Sequence, residues 1–341
     1  MADFVLQITD WYRQNARDLP WRRTKNAYFI WLSEVIMQQT RVDQGMNYYH
    51  NFTVSFPSVH DLADAEEEAV LKLWQGLGYY SRARNLHKTA QEVVAKFGGE
   101  FPPSYENLLS LKGVGPYTAA AIASFAFDLQ HAVVDGNVYR VLSRYYGIDT
   151  PIDSTTGKKE FQQLADSLIP ASMPALFNQA MMEFGAMLCT PANPACDRCP
   201  LVETCLSGRS GLYKVRPVKA KKTAVRDRFF QYFHVEDNNT LLVRKRDFKD
   251  VWHNLYEFPM LETESKELPE ELLLTMGIKS AEIVSMFEAR HILSHQRIYA
   301  HFYKVTNPGA FVKDGLLTVS KEAFYKLPIH RLMETYSERF I

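Results

Sequence analysis

The sequence predicts two joined architectures, a mainly helical N-terminal region closed by a cysteine loop and a smaller α+β domain after it. Three observations predict this. Apolar residues recur at helical spacing as far as about residue 206. All four cysteines fall between Cys189 and Cys205, and β-branched and aromatic runs begin only after a basic stretch with turn formers. The 341 residues, 46% hydrophobic and 13% aromatic, are enough for two domains with buried cores. Formal net charge is zero, so contact with nucleic acid must come from local patches. The first residues carry no signal-peptide pattern, and no stretch reaches the roughly 20 apolar residues of a membrane span. Cysteines gathered in one place fit a reducing compartment better than disulfides. A monomeric cytoplasmic protein that does not engage membranes is expected.

In chain order, Trp31, Val35, Ile36 and Val42 mark one helical pattern, and Leu71, Trp74 and Leu77 another. Further helices are expected over 83–97, 117–127, 138–146, 158–168 and 174–188. Breakers such as Phe101-Pro102-Pro103 and Leu168-Ile169-Pro170 separate them. Residues 209–228 hold eight Lys or Arg against one acid, Asp227, with Gly208, Gly211 and Pro217 in or beside the stretch. This reads as a connector, either merely solvated or a strap that touches phosphates. Beyond it, strands over 228–235 and 240–244 flank the hairpin signal Asp237-Asn238-Asn239. Strands over 283–289 and 297–305 and helices over 269–276 and 329–338 complete an α+β domain. The expected division is 1–207, a linker over 208–223, and 224–341.

Cys189-x6-Cys196-x2-Cys199-x5-Cys205 places four thiols within seventeen residues, enough to close around one centre. Zinc ribbons pair two short knuckles, whereas only Cys196–Cys199 is such a knuckle here. Thiolate-only ligation also suits a [4Fe–4S] cluster, and composition leaves both open. Upstream, Leu111-Lys112-Gly113-Val114-Gly115-Pro116-Tyr117-Thr118 precedes an apolar helix. Gly113 and Gly115 permit a tight turn and close backbone approach, and Pro116 suits a first helical position. Exposed amides at that helix start favour a phosphate oxygen. Asp135 follows in Val133-Val134-Asp135-Gly136-Asn137-Val138, where it reads equally as a helix cap or as a functional acid.

Glycine hairpin, aspartate and cysteine loop, in this order and spacing, resemble the endonuclease III-like, helix-hairpin-helix DNA glycosylases along the first 206 residues. The resemblance implies a [4Fe–4S] cluster on Cys189, Cys196, Cys199 and Cys205, and duplex DNA as partner. Bifunctional members carry a catalytic lysine just after the hairpin, which attacks the sugar as an amine. Tyr117 stands there, so a base should leave without an efficient lyase step. The segment Ser33-Glu34-Val35-Ile36-Met37-Gln38-Gln39-Thr40 resembles the signature of the MutY family of adenine DNA glycosylases. On that resemblance Glu34 is the acid that protonates adenine, and Asp135 is the anion beneath the sugar. Tyr117 and Asn137 then support the site. Trp21, Arg22 and Gln179 match positions lining the base pocket. Gln39 and Tyr79 match wedges in the duplex, with Thr40 and Leu77 nearby. A lone glutamate on a helix is otherwise a solvated surface group, and an aromatic such as Tyr79 is otherwise core packing.

The segment Val251-Trp252-His253-Asn254-Leu255-Tyr256-Glu257-Phe258-Pro259 resembles the strand entry of a Nudix-like domain. The stretch from Leu268 to Leu274 does not supply the glutamate-rich, magnesium-holding helix of active Nudix hydrolases. Family members read 8-oxoguanine through a Phe-Ser-His loop, and this chain has Leu293-Ser294-His295. Ser294 and His295 are therefore the expected lesion contacts, for adenine opposite 8-oxoguanine or guanine. Two other readings compete: a glycosylase–lyase for oxidised pyrimidines, and a DNA-binding or redox protein without base chemistry.

Overall fold

In the computed structural model the chain is described for residues 2–220 and 224–341. The predicted linker's Lys221 and Lys222 lie outside the described residues. In chain order the α-helices before the linker are α1 (Ala2–Asn15), α2 (Ala27–Ile36), α3 (Val42–Ser55), α4 (Val59–Asp64), α5 (Glu67–Leu73) and α6 (Ser81–Phe97). There follow α7 (Tyr105–Leu109), α8 (Pro116–Phe127), α9 (Gly136–Tyr146), α10 (Thr155–Leu168), α11 (Pro174–Met187) and α12 (Leu206–Ser210). Two compact units result. One runs through Asp64 and resumes at Lys88; the other gathers Ala65–His87 with the chain beyond the linker.

Local chemistry explains the helix ends in the first unit. Helix α8 is alanine-rich, which favours helix, with Pro116 in its first turn. Gly113 turns the chain into it at φ +77°, a conformation that penalises other residues. It stops at Asp128, which adopts the left-handed region. Helix α9 starts two residues earlier than its apolar pattern suggests, because the Asp135 side chain accepts from Asn137 N and Val138 N and caps it. Its end is a left-handed Gly147. Among the described residues, apolar clusters help hold the unit together, two of them as follows. Phe4 and Ile8 of α1, Val138 and Leu142 of α9, Phe161 of α10, and Phe177 and Phe184 of α11 form one. Ile30 of α2 meets Ala120, Ala121 and Phe125 of α8 in the other. Large side chains of this kind contribute roughly 1.5–3 kcal/mol each on burial.

The second unit carries the strands β1 (Arg226–His234), β2 (Glu236–Asp237), β3 (Thr240–Lys245), β4 (Tyr256–Glu257), β5 (Met260–Thr263), β6 (Ile283–Ile292), β7 (Gln296–Val305) and β8 (Leu317–Ser320). Helices α13 (Glu270–Thr275), α14 (Lys321–Phe324) and α15 (Arg331–Phe340) complete it. One sheet has the order β5-β1-β7-β6, with β1 parallel to β7 and the other pairs antiparallel. The other joins β2, β3, β4 and β8. Asn238 and Asn239 both have positive φ, the requirement of a two-residue turn that matches strand twist, and they close the β2–β3 hairpin. Along β7, Ile298, Ala300 and Phe302 are buried while the intervening residues are less so, the period of two that a half-covered sheet demands. Helix α5 is tied to this unit: Tyr256 Oη donates to Glu68 Oε1 at 2.6 Å and Lys245 pairs with the same oxygen at 2.7 Å. Arg84 of α6 donates to His253 O at 2.7 Å. No helix among the described residues is long and apolar enough to cross a membrane.

Candidate active site

A cleft of about 1060 Å³ opens in the first unit. It is lined by residues from α2, the glycine hairpin, the start of α9 and α11, and from the segment before α2. Glu34, Tyr117, Asp135 and Asn137 all face it, as do Trp21, Arg22, Gln39, Thr40, Gly113 and Gly115. Glu34 lies on the apolar helix α2, where the helical repeat that buries Ile30 and Trp31 also buries it, leaving 8% exposed. Burial raises its pKa to about 7. The Tyr117 hydrogen bond opposes the rise, Asp135 adds to it and Arg22 offsets part of it. Tyr117 Oη donates to Glu34 Oε2 at 2.6 Å, so this oxygen is occupied and the proton of the neutral acid belongs on Oε1.

Asp135 is both cap and cleft wall. Its Oδ1 accepts from Asn137 N at 2.9 Å and Val138 N at 2.8 Å, and its Oδ2 accepts from Asn137 Nδ2 at 2.8 Å. Burial raises its pKa, and these three donors, with Arg140, pull the other way. Arg140 in turn donates to Asn137 Oδ1 at 2.8 Å and so fixes which way that amide points. The result is two carboxyls from separate segments in one cleft, one tending to the neutral acid and the other braced by donors as an anion. Such a pair performs acid catalysis on one side of a bond and stabilises positive charge on the other.

The four cysteines ring a separate cavity with Val141, Arg144, Leu201 and Tyr213 among its walls. Arg144 Nη1 donates to Cys189 Sγ at 3.4 Å, and Gly208 N donates to Cys205 Sγ at 3.3 Å, contacts that favour thiolate sulfur. Among the described residues no group of three His, Cys, Asp or Glu converges as a single metal ion requires. The sulfurs surround a space, and that donor set fits a polynuclear thiolate-ligated group.

Residues 32–171 match the family model of the HhH-GPD superfamily of base excision DNA repair proteins, and residues 231–339 match that of the NUDIX domain. The adenine DNA glycosylase of Buchnera aphidicola subsp. Baizongia pistaciae is 37% identical over 87% of this chain and 84% of its own length. The chain belongs to the adenine DNA glycosylase family. The human adenine DNA glycosylase is 46% identical over 58% of this chain and 38% of its own. A solved thermostable thymine-DNA glycosylase superposes with a TM-score of 0.57 at 30% identity, covering 61% of this chain and 96% of its own. An endonuclease III solved with DNA, at TM-score 0.54 and 23% identity, shares the fold of the helical part. Adenine DNA glycosylases are hydrolases of N-glycosyl bonds, and a helical region followed by a Nudix-like α+β domain is the fold seen here.

Other residues singled out by resemblance to adenine DNA glycosylases fall elsewhere. Gln179 is not among the residues lining the cleft; its Oε1 accepts from Tyr12 Oη at 2.8 Å, and Arg22 lies over the Tyr12 ring. Leu77 and Tyr79 belong to the second unit; Leu77 is buried and Tyr79 is 48% exposed. Both Gln39 and Tyr79 hold positive φ, +54° and +48°, uncommon and costly for residues with a side chain. Leu293, Ser294 and His295 form the turn joining β6 to β7, with Ser294 and His295 exposed. Sequence reading missed Arg17 and Glu183, which also line the cleft. Burial pushes the Glu183 carboxyl up, but hydrogen bonds from Arg17 and Arg22 outweigh it and hold the pKa at about 2. Its signal was a single acid inside the apolar run of α11.

Proposed function

We propose that the protein is a monofunctional adenine DNA glycosylase acting in duplex DNA on adenine opposite 8-oxoguanine or guanine. The observation that carries this reading is the shared cleft of Glu34 and Asp135, with Tyr117, not lysine, just after the hairpin and hydrogen-bonded to Glu34. An adenine turned out of the stack, at a cost of a few kcal/mol, enters the cleft. Neutral Glu34, held by Tyr117, gives its proton to adenine N7. The leaving base then departs as a neutral molecule, and positive charge develops on the sugar. Asp135, oriented by Asn137, stabilises that charge. Glu34, now a carboxylate, accepts a proton from the water that attacks the sugar carbon. Trp21, Arg22 and Gln179 support the base pocket; Gln39 and Tyr79, with Thr40 and Leu77, wedge the duplex; the amides at Gly113 and Gly115 meet phosphate.

Cys189, Cys196, Cys199 and Cys205 would hold a [4Fe–4S] cluster, whose contribution is to cross-link the loop rather than to take part in bond cleavage. Residues 1–207 are proposed as the catalytic part, 208–223 as the linker, and 224–341 as the reader of the opposite base through Ser294 and His295. The test is a duplex with adenine opposite 8-oxoguanine, assayed for alkali-labile sites and for borohydride trapping. Base loss with inefficient trapping is expected. Efficient trapping would mean a lyase and overturn the monofunctional reading. Truncation after about residue 222 should weaken discrimination for 8-oxoguanine more than it weakens base release from A:G.

A further inference from the structure

The turn that carries Ser294 and His295 is braced from below by a side-chain chain that ends in a buried arginine. Arg228 of β1 uses all five of its N–H groups. Nε donates to Glu262 Oε1 at 2.8 Å, and Nη2 donates to Glu262 Oε2 at 2.6 Å and Asp250 Oδ2 at 2.7 Å. Nη1 donates to Asp250 Oδ1 at 2.9 Å and to Gln296 Oε1 at 3.0 Å. Two carboxylates grip the guanidinium so that it cannot turn. Arg228 and Gln296 are each 8% exposed, and the bond between them is buried, so water does not compete for it.

The direction of every further bond follows. A guanidinium only donates, so the Gln296 atom facing Arg228 is its carbonyl oxygen, and its NH2 points away. There Gln296 Nε2 lies 2.8 Å from His295 Nε2. An amide NH2 also only donates, so this ring nitrogen accepts and the ring proton resides on Nδ1. His295 Nδ1 lies 3.2 Å from Ser294 Oγ, which must accept it. Ser294 keeps its own proton and one lone pair for a partner outside the protein. Arg226 N donates to His295 O at 3.1 Å and ties the backbone of the turn to the same strand.

We propose that Arg228 and Gln296 are positioning residues that lock His295 in its Nδ1–H tautomer and thereby set Ser294 to offer one donor and one acceptor to the base opposite adenine. This rests on the reading of the turn as the lesion contact. 8-oxoguanine carries a carbonyl acceptor at C8 beside an N7–H donor, and both are met. Guanine carries an N7 acceptor beside C8–H, and only one is met.

The substitution Gln296→Glu tests the relay. It preserves shape and gives Arg228 an acceptor, but it presents an acceptor to His295 Nε2 as well. The ring proton moves to Nε2, Nδ1 becomes an acceptor, and the Ser294 proton turns inward. Two-bond 1H–15N NMR on the 15N-histidine-labelled full chain, with His295 assigned by His295→Gln, should show Nδ1–H in the wild type and Nε2–H in Gln296→Glu. KM for the A:8-oxoguanine duplex should rise about tenfold, the scale of one hydrogen bond, with the loss falling on KM rather than kcat. In a Ser294→Ala background Gln296→Glu should add nothing. An Nε2–H or doubly protonated His295 in the wild type overturns the relay without needing any variant to fold. Additive losses overturn it as well. A Ser294→Ala variant that handles A:8-oxoguanine and A:G like the wild type overturns the lesion-contact reading instead, whatever the tautomer.

Discussion

A buried glutamate of the first unit, Glu34, and one of the second, Glu257, have opposite proton affinities. Glu34 is 8% exposed and its pKa is raised to about 7; Glu257 is fully buried and held at about 2. Burial pushes both upward. Around Glu257 it is outweighed by the His330 ring, by Arg246 at 2.7 Å and by Arg244 at 2.8 Å. Around Glu34 the close partner is a neutral phenol, the nearby anion Asp135 works against ionisation, and Arg22 is already engaged by Glu183. Burial therefore does not decide the state of a carboxyl; the number of cations that share the burial does. The site with the cations uses its acid to hold a fold, and the site where the nearest arginine is spent on Glu183 keeps an acid able to give up a proton.

The largest way to break this contrast is to remove the cleft acids. Glu34→Gln should lower the single-turnover rate of adenine release by about 10²–10⁴-fold, the usual worth of a general acid, with Tm unchanged or higher because an unfavourable buried acid is gone. Asp135→Asn should lower the rate on a similar scale and also depress the Glu34 pKa, read as an alkaline limb shifted to lower pH. In the second unit Glu257→Gln should take from buried Arg246 its fully buried carboxylate, leaving only Asp250 at 3.1 Å, and cost about 3–5 kcal/mol in urea unfolding. A loss under 1 kcal/mol would show that the network is not what holds that sheet.

The pH dependence sharpens the same contrast, because the two acids act with opposite sign. Glu257 has a depressed pKa, so its contribution to stability is present above its ordinary value of 4.5 and is lost as pH falls toward about 2. Glu34 has a raised pKa, so its contribution is complete below 4.5 and is lost as pH rises through about 7. The rate of base release should fall over that same upper range as the neutral acid disappears. Denaturant midpoints of Glu257→Gln and Glu34→Gln, measured from pH 3 to 8, should each lose one of these slopes. The smallest effect belongs to Tyr117→Phe. It removes the hydrogen bond that lowers the Glu34 pKa, so the alkaline limb of the rate should move to higher pH; a shift to lower pH would contradict the assigned polarity of that bond.

Much of the fold was legible because it is local. Helical periodicity, Pro116 at a helix start, Asn238-Asn239 at a turn and the basic break near residue 209 each act over a few neighbours. Helix ends drifted where a cap outside the apolar pattern decided them, as Asp135 does for α9. The catalytic reading of Glu34 came from resemblance, since a glutamate on a helix says nothing of its own burial. Glu183 with Arg17 and Arg22, and Arg228 with Gln296, are pairs far apart in sequence, and no local pattern links them.

The sequence by itself determined the main helices and the strands β1, β3, β6 and β7, where the chain changes character, and which residue types are on hand: two acids, four thiols, and a tyrosine where a lysine would change the chemistry. Tertiary structure alone decided what those acids are. A carboxyl's proton affinity depends on the dielectric around it and on charges within a few ångströms, and those neighbours come from other parts of the chain.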